Sequence, residues 1–235
     1  MTAAACARAG SRLGVALALA TSIVGCAGLV DSSDSASPST TSSTGRARTA
    51  GTTTVDAAQA QRLQRIMPPL VKAMNRPIPV DQVRVGIVDD PRINAANAGG
   101  GEFYVTRGLL EKANDQQLAG VLAHEIAHDD LKHATKARVV GTGLNIGMIL
   151  LDQIIPGAGA VAAIPGRLVM NKYTQSEEYA ADRHGMEILQ KAGLPPTIMA
   201  DTLAWLQRTE GGSSGGFFST HPATGDRIEA LRRSR

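Results

Sequence analysis

The pentapeptide His124-Glu125-Ile126-Ala127-His128 constrains the fold more than any other stretch, because its chemistry requires a helix. A helix has ~3.6 residues per turn, so the two histidines lie on one face about one turn apart. Both imidazoles can then reach a Zn²⁺ ion at ~2.0–2.1 Å. The glutamate is rotated by about 100° and can lie beside the metal, where a carboxylate can take a proton from water. The pentapeptide therefore predicts a zinc site that activates water, with coincidence as the alternative.

The residues around the pentapeptide predict one long helix. Asn114 and Asp115 provide the cap, and the apolar residues that follow recur at helical spacing up to about Val140. His133 comes five residues after His128 and would lie about 140° around such a helix. We therefore expect His133 to face away from the metal and to have a structural role.

The rest of the chain predicts shorter helices and strands. Asp56 is a candidate cap for a helix toward Met74, which the adjacent Pro68-Pro69 pair should kink or divide. Alternating residues over 83–88 predict a half-buried strand, and 102–106 is a second strand candidate. Further helices are expected over 108–113, from Thr174 or Ser176 to about Ala192, and after Pro222.

Residues 94–106 combine a glycine run with a strand and form a candidate substrate-binding region. The glycines permit a turn and the close approach of another backbone. The strand after them can be a sheet edge, to which an extended peptide adds as a further strand. A plain hairpin edge fits the spacing equally well. The candidate contact residues are Asn94, Gly100, Gly101, Phe103 and Val105.

The segment 139–169 is apolar, but polar residues, glycines and proline interrupt it. No uninterrupted run reaches the ~18–20 residues that a membrane span needs. We expect a mobile hairpin that covers the substrate or touches a membrane. A buried core helix followed by a loop is the alternative. The interruptions are Gly141, Gly143, Asn145, Asp152 and Pro156.

The N-terminal residues 1–25 have the pattern of a bacterial secretory signal, with Arg8 and Arg12 before a short apolar run. Its end, Ile23-Val24-Gly25-Cys26, resembles a lipobox, which implies cleavage before Cys26 and lipid attachment there. An ordinary signal peptide with an incidental cysteine is the alternative. Residues 26–55 are expected to be a flexible tether, rich in Ser and Thr, ahead of a domain over 56–235. This arrangement predicts a lipid-anchored protein facing the periplasm, with the outer membrane favoured over the inner.

Charge and cysteine content exclude other kinds of site. The net charge is only +3, and four arginines in the last ten residues, without stacking aromatics, indicate a solvated helix face. We therefore expect no nucleic-acid binding. With Cys6 in the signal and Cys26 lipidated, the mature domain has no thiol, so its metal ligands must be histidines and carboxylates. The arginines are Arg227, Arg232, Arg233 and Arg235.

A second charged pair lies fifty residues downstream of the histidines. Glu178 and Asp182 are four residues apart on a predicted helix, so they share a face. A carboxylate is a suitable third ligand for a two-histidine zinc site whose fourth position stays open. Its neighbour can hold a ligand imidazole through the other ring N–H. Taken alone, such a pair is more often a solvated face.

Together, His124-Glu-Ile-Ala-His128 and Glu178-Tyr-Ala-Ala-Asp182-x-x-Gly185 resemble the M48 family of zinc metallopeptidases. The resemblance implies one Zn²⁺ per chain, with both histidines and Glu178 as ligands. It implies Glu125 as the general base and Asp182 as the partner of a ligand histidine. Glu177 competes with Glu178, but only Glu178 has the four-residue spacing to Asp182.

Two further stretches are similar to the same family. Residues 94–110 are similar to its substrate-binding edge strand. His221-Pro222 with the downstream Arg227 is similar to its C-terminal motif, which implies that Arg227 lies behind the ligands. His221 is then expected at the active site, where it either steadies the transition-state oxyanion or caps zinc in a resting state.

The resemblance implies an α+β fold: a predominantly helical, zincin-like domain with a small sheet whose edge borders the active site. The implied function is that of a zinc endopeptidase of the cell envelope, acting on misfolded or misassembled envelope proteins. Its partners would be protein or peptide substrates, the membrane through the lipid, and envelope assembly machinery. The alternative is a chaperone-like or binding lipoprotein with a latent zinc site capped by His221.

Overall fold

The computed structural model describes residues 56–133, 138–151, 163–169, 172–210, 216–222 and 225–234. The predicted signal, Cys26 and the tether lie outside these residues. Within the described ranges, no helix has the length and apolar character of a membrane span. The helices are α1 (Ala57–Lys72), α2 (Arg107–Lys112), α3 (Asp115–Asp130), α4 (Gln175–Lys191), α5 (Ile198–Glu210) and α6 (Gly225–Arg233), and the strands are β1 (Arg84–Val88), β2 (Ala95–Gly99), β3 (Glu102–Thr106), β4 (Arg138–Leu150) and β5 (Ala163–Val169). Short 3₁₀ turns cover Val80–Gln82 and Phe217–Ser219.

The five strands form one mixed sheet in the order β2-β3-β1-β4-β5. β1 and β3 are parallel, whereas the β2–β3, β1–β4 and β4–β5 pairs are antiparallel. The predicted α+β class, mostly helical with a small sheet, is therefore confirmed.

Helix α3 lies at the centre of the core. Its residues from Leu118 to His128 are all buried, so the helix is enclosed on every side. At Gly120 a Cβ atom would lie 2.2 Å from Thr202 Oγ1, so only glycine allows α5 to pack this closely. Buried apolar residues of α1 and the sheet complete the core, including Leu63, Met67, Leu70, Val85, Phe103 and Val105.

The strand predicted to be an edge is an interior strand. β3 is hydrogen-bonded to β2 on one side and to β1 on the other, and Phe103 and Val105 point into the core. The prediction was wrong because the alternation within a strand gives its two faces but does not reveal its neighbours. The edge on the site's side is β2, which precedes the glycine run. β1 is also buried on both faces, rather than half-buried, because Val88 packs with Ala96 and Tyr104 on the second face.

Three other predictions about secondary structure need correction. The helix from Asn114 ends at Asp130 rather than near Val140, and β4 begins at Arg138. The alternative of a core helix over 139–169 is wrong, because β4 and β5 form an antiparallel hairpin that extends the sheet. Pro68 and Pro69 lie inside α1 without dividing it.

Candidate metal centre

Helices α3 and α4 each contribute two side chains, one turn apart, to a buried cluster. Both helices begin with a reciprocal capping box, from Asn114 in α3 and from Thr174 in α4. In α4 the box uses Glu177, whose side chain accepts a hydrogen bond from the backbone of Thr174 at 2.8 Å. Glu177 is therefore engaged at the start of the helix, and the following residue, Glu178, turns inward and is fully buried.

Four side chains bring one possible ligand atom each to the same place: His124, His128, Glu178 and His221. The Nε2 atoms of His124 and His128 are 3.1 Å apart. Carboxylate oxygens of Glu178 lie 3.4 Å and 3.5 Å from these two nitrogens. His221 Nδ1 lies 3.3 Å from His124 Nε2 and 3.0 Å from Glu178 Oε1.

These distances and donor types fit a zinc ion. A tetrahedron whose ligands lie ~2.0–2.1 Å from its centre has edges of roughly 3.3–3.4 Å. The five measured separations, which involve both oxygens of Glu178, lie between 3.0 Å and 3.5 Å. Imidazole nitrogens and carboxylate oxygens are ordinary zinc ligands. One possible ligand atom from each of the four buried side chains lies within 4.8 Å of the others. The cluster thus brings four possible ligand atoms to a common centre, which a cation can occupy.

Glu125 and His221 lie together beside the ligand atoms. Glu125 is 1% exposed, and its Oε1 is 3.2 Å from His221 Nε2, a contact without good hydrogen-bond geometry. The His221 ring stacks on Phe217 with centroids 4.2 Å apart, and its backbone N–H donates to Phe217 O. His221 therefore occupies the space between the general-base candidate and the ligand atoms.

Arg227 and Asp182 support the ligands from behind. Asp182 Oδ1 lies 3.1 Å from His124 Nδ1, the ring nitrogen that faces away from the cluster. Arg227 donates to both Asp182 oxygens at 2.7 Å, and its Nη1 lies 2.6 Å from Glu178 Oε2. Arg227 is only 1% exposed. The expectation that all four C-terminal arginines lie on a solvated face was therefore wrong for this residue. The helical pattern alone did not predict this burial, because the partner carboxylates are on another helix.

The protonation states of the cluster follow from burial and the neighbouring charges. Burial lowers the pKa of His124, but hydrogen bonds to Asp182 and Glu178 outweigh it and raise that pKa to about 9. Burial lowers the pKa of His128 to about 3, against the effect of its hydrogen bond to Glu178. Burial opposes ionisation of Glu178, yet its contacts with three histidines hold its pKa well below the ordinary value. A metal ion binding here would compete with the proton on His124.

The glycine run is held against the metal-bearing helix. Gly100 and Gly101 have φ angles of 64° and 83°, and their N–H groups donate to the two carboxylate oxygens of Asp129 at 2.9 Å. Asp129 directly follows His128. Asn94 lies before β2, and its backbone N–H and C=O both bond to Thr106. Within the predicted substrate region, β2 and the glycine turn after it therefore adjoin the cluster, whereas β3 does not.

Two side chains that sequence reasoning missed contact His128. Tyr173 stacks on its ring with centroids 3.6 Å apart, and the Tyr173 hydroxyl bonds to Asn97 of β2 at 2.9 Å. His133 Nδ1 lies 2.9 Å from His128 Nδ1, so the prediction that His133 faces away was wrong. That prediction assumed that the helix continues through His133, but α3 ends at Asp130. The available sequence signal for Tyr173 was its position, as an aromatic residue directly before the Thr174 cap.

Comparison with known sequences identifies similar proteins. The sequence model described as Peptidase family M48 matches residues 57–235. Metalloprotease LoiP of Escherichia coli (strain K12) is 26% identical over 145 residues, covering 60% of this chain and 58% of that protein. The mitochondrial metalloendopeptidase OMA1 of Bos taurus is 33% identical over 168 residues, covering 63% of this chain and 32% of that protein.

A third relative is the Beta-barrel assembly-enhancing protease of Escherichia coli (strain K12). It is 32% identical over 162 residues, covering 62% of this chain and 33% of that protein. The matched regions therefore span between about a third and somewhat over half of these relatives' own lengths.

Proposed function

The chain belongs to peptidase family M48, and we propose that it is a zinc-dependent endopeptidase of the cell envelope. The observation that carries the proposal is the convergence of His124, His128 and Glu178 at tetrahedral distances, with Glu125 beside them. Relatives named as metalloproteases support the peptidase activity. Two histidines with a glutamate are a donor set found in catalytic zinc sites, which supports zinc as the metal.

The chain's own residues divide the reaction between them. The two histidines and Glu178 hold the ion, which when bound supplies polarisation of the peptide carbonyl and acidification of water. Glu125 takes the proton of the attacking water and passes it to the leaving amine. Its pKa is lowered, because the neighbouring His221 outweighs the effect of burial, so it is ionised and able to accept a proton. Asp182 fixes the ring of His124 through Nδ1.

The edge strand β2 is the proposed place for substrate. An extended peptide can add to an exposed sheet edge by backbone hydrogen bonds. Asn97 and the Gly100-Gly101 turn tie this strand to side chains at or next to His128. The proposed substrates are misfolded or misassembled envelope proteins. The name of the β-barrel assembly-enhancing relative and the lipobox-like Cys26 support a location in the cell envelope. The proposed partners are the membrane, through a lipid anchor, and envelope assembly machinery.

A second candidate function is a chaperone-like or binding lipoprotein with a latent site. The position of His221 favours it, because Nδ1 lies among the ligand atoms and Nε2 lies 3.2 Å from Glu125. An imidazole held there occupies the fourth ligand position and excludes water from the general base. A peptidase that rests in this form and opens for substrate fits the same geometry.

The purified full chain tests the proposal through zinc analysis and casein cleavage. The wild type should bind about one zinc per chain and cleave casein, whereas Glu125→Gln should keep its zinc and lose about 10²–10⁴-fold in rate. Zinc binding without cleavage by either protein would favour the latent binding function. A chain that binds no zinc contradicts both.

The role of His221 is tested by His221→Ala. Basal proteolysis rises if His221 caps the metal, because the fourth position opens. It falls if His221 steadies the transition state. An unchanged rate removes His221 from the site.

A further inference from the structure

The chain reverses sharply at the end of α3 and returns to a metal ligand. His133 N–H donates to His128 O and Lys132 N–H donates to Asp129 O, each at 3.0 Å. This pair of bonds is a Schellman motif, whose turning residue adopts the left-handed conformation. Lys132 holds that position with a φ of 56°, where glycine is the usual residue. The motif brings the backbone of His133 back against the last turn of the helix.

The side chain of His133 then meets the side chain of His128. Their Nδ1 atoms are 2.9 Å apart, a hydrogen-bond distance. Nε2 of His128 faces His124 and Glu178, so its lone pair is the one available for a metal. A neutral imidazole with a free Nε2 lone pair carries its proton on Nδ1. His128 therefore donates this hydrogen bond, and His133 Nδ1 accepts it.

The two ligand histidines consequently have different partners. His124 turns its outer nitrogen to the carboxylate of Asp182, which Arg227 holds with two bonds. His128 turns its outer nitrogen to an imidazole. A ligand histidine depends on such an acceptor for its tautomer and ring orientation. Tyr173 stacks on the face of the His128 ring.

We propose that His133 is a positioning residue of the metal centre, which holds His128 in its ligand tautomer and orientation by accepting a hydrogen bond from Nδ1. This role rests on the proposed zinc site and deepens it. The Schellman turn delivers the acceptor, because it folds the backbone of His133 back against the last turn of α3. Removing the acceptor of His133 should weaken zinc binding about 10–100-fold, as with other partners of ligand histidines.

Zinc affinity of the full chain, measured by competition with a chromophoric chelator, tests this role. His133→Ala should bind zinc about 10–100-fold more weakly than the wild type. His133→Asn should recover most of the affinity, because Asn Oδ1 lies where His Nδ1 lies and is an acceptor. The absorption spectrum of the Co²⁺-loaded protein should shift in His133→Ala and return toward the wild type in His133→Asn.

His184→Ala is the matched control. His184 is also buried, but its two ring nitrogens bond to Asp130 at 2.7 Å and to Glu187 at 2.9 Å rather than to the cluster. It should lose stability and keep zinc affinity.

Equal zinc affinity in wild type and His133→Ala overturns the inference and leaves the proposed function intact. Equal losses in His133→Ala and His133→Asn, or in His184→Ala, also overturn it, since the acceptor is then not the cause. A wild-type chain without zinc affinity overturns the inference together with the proposed function.

Discussion

Helices α3 and α4 hold two buried groups of histidines and carboxylates, and only one has the geometry of a metal site. The first is the cluster of His124, His128, Glu178 and His221. The second is the pair of Asp130 and His184, which begins two residues beyond His128 on α3. The two groups consist of the same types of side chain at similar burial.

The two groups differ in how their side chains are arranged. Asp130 accepts from the backbone N–H groups of Asn75 and Arg76 at 2.6 Å and 3.1 Å, and it bonds to His184 Nε2. His184 Nδ1 lies 2.9 Å from Glu187. In the metal cluster, by contrast, four side chains bring one possible ligand atom each to a common centre. Residue types therefore do not separate a structural clamp from a metal site, whereas the convergence of the ligand atoms does.

The largest expected effect is that of Glu178→Gln, which removes the charge of a proposed ligand. We expect zinc affinity to fall by more than about a hundredfold, beyond the loss typical of residues behind the ligands, and casein cleavage to fall with it. Zinc analysis and chelator competition measure this. Asp130→Asn is the matched carboxylate change in the clamp and should leave zinc affinity unchanged. Similar zinc loss in both variants would contradict the distinction between the two groups.

Arg227→Met should have the next largest effect, on stability. It leaves Asp182 as a buried charge without its two hydrogen bonds, a change that typically costs about 3–5 kcal/mol. Urea unfolding of the zinc-loaded chain measures the free energy. Arg232→Met on the same helix is the control, since its side chain is 51% exposed, and a change within about 0.5 kcal/mol is expected. Equal effects would show that Arg227 is not a buried partner.

Asp130→Asn should reduce the free energy of unfolding by about 1–3 kcal/mol, because charge-assisted hydrogen bonds are lost. Burial tends to raise the pKa of Asp130, but His184 and the backbone N–H groups hold it below its ordinary value. Its contribution is therefore complete above the unfolded pKa of about 3.9 and is lost as the pH falls through the folded value. Unfolding curves below about pH 4 should thus decline less steeply in Asp130→Asn. An unchanged slope would show that Asp130 does not couple to acid unfolding.

The smallest expected effect is that of Lys132→Gly, at the turn beyond both groups. Glycine adopts the positive φ without the Cβ penalty, which outweighs its greater freedom in the unfolded chain, so we expect a gain of about 0.5 kcal/mol. Lys132→Ala keeps the penalty and should be neutral. Zinc affinity should stay the same in both, because the turn is kept. A loss of stability in the glycine variant would contradict the Schellman geometry.

The elements near the site were predictable where local geometry decides them. The spacing of His124 to His128 and of Glu178 to Asp182 places each pair on one helix face wherever the helices pack. The caps of α3 and α4 were predictable for the same reason, since Asn114 and Thr174 bond to residues three positions away.

Two of the corrected predictions depended on distant segments. β3 is interior because β1 returns beside it, and Arg227 is buried because its partners belong to α4. His133, by contrast, meets His128 through the local Schellman turn that ends α3.

The sequence by itself determined the residue types of the site and their grouping into pairs on helices, because a helix converts spacing into direction. Tertiary structure decided that the pairs face each other, that His221 and Arg227 join them, and that Asp130 with His184 becomes a clamp. Those outcomes depend on which donors and acceptors meet across elements, and that is set by the packing of the whole core around α3.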